Sequence, residues 1–236
     1  MADDKDLFLK IVGLLERGGV LDDIVLIGSW VLPIYREYFN DAPEIPVLRT
    51  TDVDFLVGMP PRIRREFDVP AALYGLGFEP EWSSQGGYCK YVHPEMEVEF
   101  LIPEQGRGAD RSISVDALRV EAQPLRFLSL AYDRSMFVRY QGYDIRVPEP
   151  EAFVFLKLLV IPRRKDQSKI EKDVSTARSV GEYLLGDSEH RARFRDMFAG
   201  LPKGWQTKIR NSARDHFPEL LDHISNEFEA DRGILS

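Results

Sequence analysis

Ile24-Val25-Leu26-Ile27-Gly28-Ser29-Trp30 and, further along, Thr51-Asp52-Val53-Asp54-Phe55-Leu56-Val57 are the two stretches whose reading decides the fold. The first opens as a short apolar run rich in β-branched residues, which predicts a buried strand. It meets Gly28-Ser29, and a helix to about Phe39 is predicted to follow. The second predicts another strand. Side chains alternate across a strand, so Asp52 and Asp54 share one side while Val53 and Phe55 face the other.

Two carboxylates brought together at a sheet edge repel each other and are costly to bury. A divalent cation such as Mg²⁺ removes that cost, and it takes carboxylate oxygens together with substrate phosphates. Glu97-Val98-Glu99 is a second acidic strand that offers a third carboxylate, with Glu97 and Glu99 on one face. Three carboxylates around one or two metal ions suit in-line phosphoryl or nucleotidyl transfer. Gly28-Ser29 offers the other half of such a site. A glycine lets backbone approach a ligand closely, and the free amides at a helix start favour phosphate. Ser29 can cap the helix or donate its hydroxyl to a phosphate oxygen. Each signal also has a plain structural reading: Asp52 and Asp54 as a solvated strand face with Thr50, Gly28-Ser29 as a tight turn with a cap, and Glu99 as an exposed edge residue.

Outward from these stretches, residues 5–17 carry Leu7, Ile11, Leu14 and Leu15 at helical spacing, ended by Gly18-Gly19. Asn40 to Arg49, with Pro43 and Pro46, reads as a loop. Arg64 to Leu76 reads as a helix closed by Gly75 and Gly77. Tyr88 to Val92 and Glu97 to Ile102 read as paired strands joined by His93-Pro94-Glu95, and Met136 to Tyr140 and Tyr143 to Val147 as a hairpin around Gln141-Gly142. After Pro148-Glu149-Pro150 everything reads as helix, over about 151–161, 168–185, 189–199, 203–214 and 217–229. The expected fold class is therefore α+β: an N-terminal mixed sheet with flanking helices in residues 1–148, then an all-helical half in 149–236.

Gly28-Ser29, Asp52-x-Asp54 and an acidic residue on a later strand together resemble the nucleotidyltransferase superfamily with the DNA polymerase β-type fold. The likeness is to bacterial minimal nucleotidyltransferase-like proteins, relatives of the AbiEii toxin among them. Val147-Pro148-Glu149-Pro150-Glu151, Lys157 in an apolar helix and Lys169-x-x-Lys172-Asp173 are similar to the helical half of those proteins. The resemblance covers roughly residues 20–175. It implies a catalytic and metal set of Asp52, Asp54 and Glu99 holding Mg²⁺ (or Mn²⁺), and nucleotide contacts from Gly28, Ser29, Lys157 and Lys169. It further implies an NTP substrate and an acceptor hydroxyl on RNA or tRNA, on protein or on a small molecule. An antitoxin partner follows if the chain is the toxin of a toxin–antitoxin pair. Glu99 is favoured over Glu97 because Phe100-Leu101-Ile102 after it matches the family's acidic-then-apolar strand. Two departures stand out: the interval from Ser29 to Asp52 is longer than in minimal members, and the third acid is Glu where the family more often has Asp. They leave open a non-catalytic binding module of the same fold.

Lys157 is the only charge between Phe153 and Val160, which fits either a lysine laying its stem on apolar surface or a cation reaching toward a triphosphate. In the following helix Ile170, Val174, Ala177, Gly181 and Leu184 form the expected buried stripe, with Asp173 at its edge beside Lys169. That pair is either a surface ion pair worth about 0.3 kcal/mol or a cleft-facing Lys169 oriented by Asp173. Arg62, Arg64 and Arg65, and Arg163-Arg164-Lys165, are basic clusters that read first as solvated faces and second as contacts for RNA or triphosphate. The four histidines lack metal-ligand spacing, and Cys89 reads as structural.

Composition bounds the remaining possibilities. The 236 residues carry 31 Lys+Arg against 39 Asp+Glu, a net charge of −8 that disfavours tight non-specific DNA binding over a broad surface. A single cysteine excludes an internal disulfide framework and cysteine-rich zinc sites, and fits a reducing compartment. The acidic start lacks the basic-then-apolar pattern of a signal peptide, and the longest uncharged apolar stretch, Ile24 to Tyr35, is too short to span a bilayer. A soluble cytoplasmic protein without membrane contact is expected.

Overall fold

The computed structural model describes residues 2–46, 50–83, 87–106 and 111–225. The chain divides into two compact units, Met1–Ala42 with Val47–Pro148, and Pro43–Pro46 with Glu149–Ser236.

The first unit is built on a mixed sheet. It opens with helix α1 (Ala2–Gly18), strand β1 (Ile24–Ile27), a 3₁₀ turn over Gly28–Trp30 and helix α2 (Val31–Tyr38). Strand β2 (Asp52–Val57), helix α3 (Val69–Tyr74), and strands β3 (Glu79–Trp82), β4 (Cys89–His93) and β5 (Met96–Pro103) follow. Strands β6 (Ile113–Val115) and β7 (Val120–Leu125), helix α4 (Leu128–Asp133) and the hairpin β8 (Ser135–Tyr140) and β9 (Tyr143–Pro148) complete the unit. The seven-stranded sheet runs β1-β2-β5-β4-β3, and β7 joins the far end of β5 and pairs with β6. β2 and β5 are parallel; β1 and β4 are antiparallel to them.

Register follows from what each face must bury. Val53, Phe55, Val98 and Phe100 are almost fully buried on one face, with the Phe55 and Phe100 rings 5.8 Å apart. A slip of one residue would turn those side chains to the acidic face, so the pairing is strongly specified. The hairpin packs beside β1, and Tyr35 on α2 donates its hydroxyl to the carbonyl of Pro148 at 2.7 Å.

The helix expected from Arg64 to Leu76 is confined to Val69–Tyr74. Pro70 sits in its first turn and Asp68 caps it, accepting from the amide of Ala71 at 3.0 Å. Both devices mark a helix start rather than an interior. Upstream, Arg64 is drawn instead to Asp23, donating its amide at 2.8 Å and its Nε at 2.6 Å.

The second unit is helical: α5 (Pro150–Val160), α6 (Gln167–Leu185), α7 (Ser188–Gly200), α8 (Lys203–His216) and α9 (Pro218–Ser225). Residues 226–229 of the expected last helix lie outside the described residues. The buried stripe of α6 is Asp173, Thr176, Ala177, Val180, Gly181 and Leu184, so Asp173 lies inside it while Ile170 and Val174 are only half-buried. The pull is electrostatic: Asp173 accepts from Lys157 Nζ at 2.6 Å and from Arg164 Nε at 2.8 Å. Among the described residues no helix is long and apolar enough to cross a membrane.

Candidate active site

β1 and β2 bring the Gly28 turn against Asp54. The antiparallel register pairs Ile27 with Asp54, so the next residue, Gly28, leaves the sheet beside that carboxylate. Gly28 has φ +76°, and a Cβ at its position would lie 2.4 Å from Asp54 Oδ2. Only glycine satisfies both conditions: it takes the left-handed backbone and leaves the space that the carboxylate fills. Ser29 is buried, and Trp30 stacks on Phe8 of α1 with ring centroids 4.2 Å apart. Of the two roles the sequence leaves open to Ser29, the helix cap is not the one seen. The residues that cap the 3₁₀ turn and α2 are Ile27 and Trp30, and neither makes a side-chain cap bond. The amide of Val31, which opens α2, donates to the carbonyl of Ser29, and Pro33 in the same turn has no amide hydrogen.

β2 and β5 place the carboxylates. In the parallel register Asp54 lies beside Glu99 and Asp52 beside Glu97, all on the face opposite Val53, Phe55, Val98 and Phe100. Asp52 is exposed and accepts from the Thr51 hydroxyl at 3.3 Å; Asp54, Glu97 and Glu99 are half-buried. Adjacent strands lie about 4.8 Å apart, which puts each neighbouring pair within reach of one small cation.

The next strand across contributes a residue that the sequence reading passed over. Lys90 on β4 is the register partner of Glu99, and its Nζ donates to Glu97 Oε2 at 3.0 Å and lies 3.7 Å from Glu81. The bond to Glu97, with the charges of Glu97, Glu81 and Glu99, holds the ammonium above the usual lysine range. Nothing in Cys89-Lys90-Tyr91-Val92 alone says which sheet face Lys90 takes; the pairing with β5 decides it.

The carboxylates in register on this face are oxygen donors of the kind that a divalent cation takes. Among the described residues no three His, Cys, Asp or Glu side chains form a metal-holding group. Mg²⁺ does not require one, since it is commonly held by one or two carboxylates plus substrate phosphates and water. Asp54 fits that demand: its carboxylate is seated in the Gly28 cradle with Glu99 alongside in register.

The two lysines expected to contact nucleotide lie in the helical unit. Lys157 is buried, its ammonium engaged with Asp173 and 5.4 Å from the Phe153 ring centroid. Lys169 is exposed, and Asp173 is bound to Lys157 and Arg164 in place of the expected pairing with Lys169. Arg64 is committed to Asp22 and Asp23, whereas Arg163 and Lys165 are exposed. Cys89 is buried and burial pushes its thiol up, which fits a structural thiol rather than a nucleophile.

Two solved structures share features with the chain. One is an antigenic nucleotidyltransferase-like protein from Paracoccidioides brasiliensis, 15% identical, with a TM-score of 0.45, covering 90% of this chain and 88% of that one. The other is the antibiotic-resistance factor ANT(2'')-Ia, 10% identical, with a TM-score of 0.37, covering 96% of this chain and 91% of that one. No curated protein sequence matches the chain. A family model described as nucleotidyltransferase matches residues 7–198, a span that runs through the Gly28 turn and the strands bearing Asp52, Asp54 and Glu99. The chain belongs to the nucleotidyltransferase family.

Proposed function

We propose that the chain is a Mg²⁺-dependent nucleotidyltransferase (Mn²⁺ being the alternative ion) that moves an NMP from an NTP to an acceptor hydroxyl. The observation that carries this reading is the seating of Asp54 in the Gly28 cradle with Glu99 beside it in register. Gly28 and Ser29 receive the triphosphate. Asp52, Asp54 and Glu99 are the carboxylates for the metal, which when bound offsets phosphate charge in the transition state. Glu99 also accepts the proton of the acceptor hydroxyl. The hydroxyl oxygen then bonds to the α-phosphorus, the bond from that phosphorus to the bridging oxygen breaks, and pyrophosphate leaves with the electron pair. Nucleotide contacts from Lys157 and Lys169 belong to the same proposal, Lys157 being also bonded to Asp173. The acceptor is RNA or tRNA, protein or a small molecule. The chain's place as the AbiEii-like toxin of a toxin–antitoxin pair, with an antitoxin as its protein partner, belongs to the same proposal, as does cytoplasmic work.

A second reading, a non-catalytic nucleotide- or partner-binding module, is favoured by the lack among the described residues of a three-member metal group and by the ammonium of Lys90 within the acidic face. The deciding experiment supplies each of the four NTPs, labelled at the α-phosphate, with Mg²⁺, against total RNA, cell protein and aminoglycosides. Transfer to any acceptor that disappears in Asp54→Asn supports the enzyme. Metal-dependent NTP binding without transfer selects the module, and NTP binding that is unchanged in EDTA refutes the metal site.

A further inference from the structure

We propose that the cavity between α1, the turn after α3 and the β4–β5 turn binds a small zwitterion with two cationic groups and one carboxylate, the charge set of a basic amino acid such as lysine. The site is separate from the one proposed for nucleotidyl transfer.

The cavity has a volume of about 430 Å³, within the range of about 300–1,000 Å³ that takes small ligands. Leu7 and Leu76 give it an apolar lining, and Asp6, Lys10, His93 and Glu95 add charge and hydrogen-bonding groups. It stands apart from the acidic face. His93 is the register partner of Met96, and Met96 shares with Val98 and Phe100 the side of β5 that turns away from Glu97 and Glu99.

The charges around the cavity are open. Among the described residues, the Asp6 and Glu95 carboxylates and the Lys10 ammonium make no hydrogen bond or ion pair, although Asp6 and Lys10 stand one turn apart on α1. Pairs of the same spacing elsewhere do close, Arg178 with Glu182 and Arg193 with Glu189. His93 adds a donor of fixed position: the amide of Glu95 donates to its Nδ1 at 3.2 Å, so the neutral ring carries its hydrogen on Nε2. The Phe78 ring, with centroids 5.2 Å apart, packs against that imidazole. Asp6 and Glu95 can each accept from an ammonium group, while Lys10 and His93 donate to a carboxylate. Two negative charges against one positive leave the lining at −1, which the +1 of a basic amino acid balances. A simple anion would meet two carboxylates here, and a simple dication would meet Lys10.

Calorimetry of the whole chain with three ligands tests the assignment: L-lysine, cadaverine (lysine without its carboxylate) and L-norleucine (lysine without its side-chain ammonium). Lysine should bind at one site, and each of the others roughly tenfold more weakly. Lys10→Met should weaken lysine roughly tenfold and leave cadaverine no weaker, whereas Glu95→Gln should weaken both roughly tenfold. General attraction to a chain of net charge −8 predicts the opposite order, because cadaverine carries the greater positive charge. Cadaverine binding as tightly as lysine, no lysine binding, or lysine binding unchanged in both variants overturns the proposal. Lys10 and Glu95 are exposed, so both variants should melt as wild type does. Should either melt early, the order of the three ligands on the wild-type chain still decides.

Discussion

Gly28→Ala tests the junction on which the proposed site depends. The substitution imposes two separable costs. The first is conformational: φ of +76° forces a residue with a Cβ into the left-handed region, at about 1–2 kcal/mol. The second is steric: the new methyl would lie 2.4 Å from Asp54 Oδ2, an overlap that must be relieved by moving the carboxylate, at about 1–3 kcal/mol. Together they predict a loss of roughly 2–5 kcal/mol, or a melting temperature lower by roughly 5–15 °C for a chain of this size. Asp54→Ala removes the second cost alone, because the nearest remaining atom, Cβ of residue 54, is 3.7 Å away in ordinary contact. Introduced into that background, Gly28→Ala should therefore cost only about 1–2 kcal/mol. Urea denaturation of the four chains, followed by circular dichroism, measures the coupling. An equal loss in both backgrounds would show that Asp54 does not press on the glycine, and the cradle would have to be abandoned.

Asp173→Asn leaves the buried Lys157 ammonium facing a neutral amide and should destabilise by roughly 3–5 kcal/mol, more than Lys157→Met, after which Asp173 keeps Arg164; the reverse order in urea denaturation refutes this geometry. Gly181→Ala on α6 should destabilise by about 1–3 kcal/mol despite the better helix propensity of alanine, because its Cβ would lie 2.3 Å from Phe217 Cε1; Phe217→Leu should remove the penalty, and a thermal melt that rises in Gly181→Ala alone would refute the contact. Asp187 caps α7, accepting from the amide of Glu189 at 2.6 Å, and its bonds to the amides of Glu189 and His190 hold its carboxyl below the usual range. Its contribution is thus present above the unfolded carboxyl pKa and fades as pH falls through the lower folded one, so Asp187→Ala should depress the melting temperature at pH 7 more than at pH 3; equal depression at both refutes the cap.

Much of this architecture was legible because it is local. Ile24 to Ile27 reads as a buried strand from its β-branched run, and the alternation in Asp52-Val53-Asp54-Phe55 fixes which side chains share a face. Helical periodicity and breakers located the five helices after Pro148. What escaped depends on partners distant in sequence. β3 is Glu79-Pro80-Glu81-Trp82, exposed along its length and carrying a proline, and only its pairing with β4 makes it a strand. β7 does alternate, with Val120, Ala122 and Pro124 buried, but it is short and lies in a stretch where no turn signal drew it out. Asp173 was misplaced by hydrophobicity counting, since periodicity cannot anticipate that Lys157 and Arg164 will neutralise it. Lys90 was invisible for the same reason: its meaning comes from standing across β4 from Glu99.

The parallel pairing of β2 with β5 carries an evolutionary corollary. The two strands are held in register by the apolar face they share, not by the segment that joins Val57 to Met96. Lengthening such a connection is cheap, about 0.6 kcal/mol for each doubling. The segment can therefore gain or lose surface loops while Asp54 and Glu99 keep their spacing. Drift in that segment alone leaves the pairing of β2 with β5 untouched. Insertion variants that lengthen the stretch between β3 and β4 would show how far that connection can vary while the pairing of β2 with β5 persists.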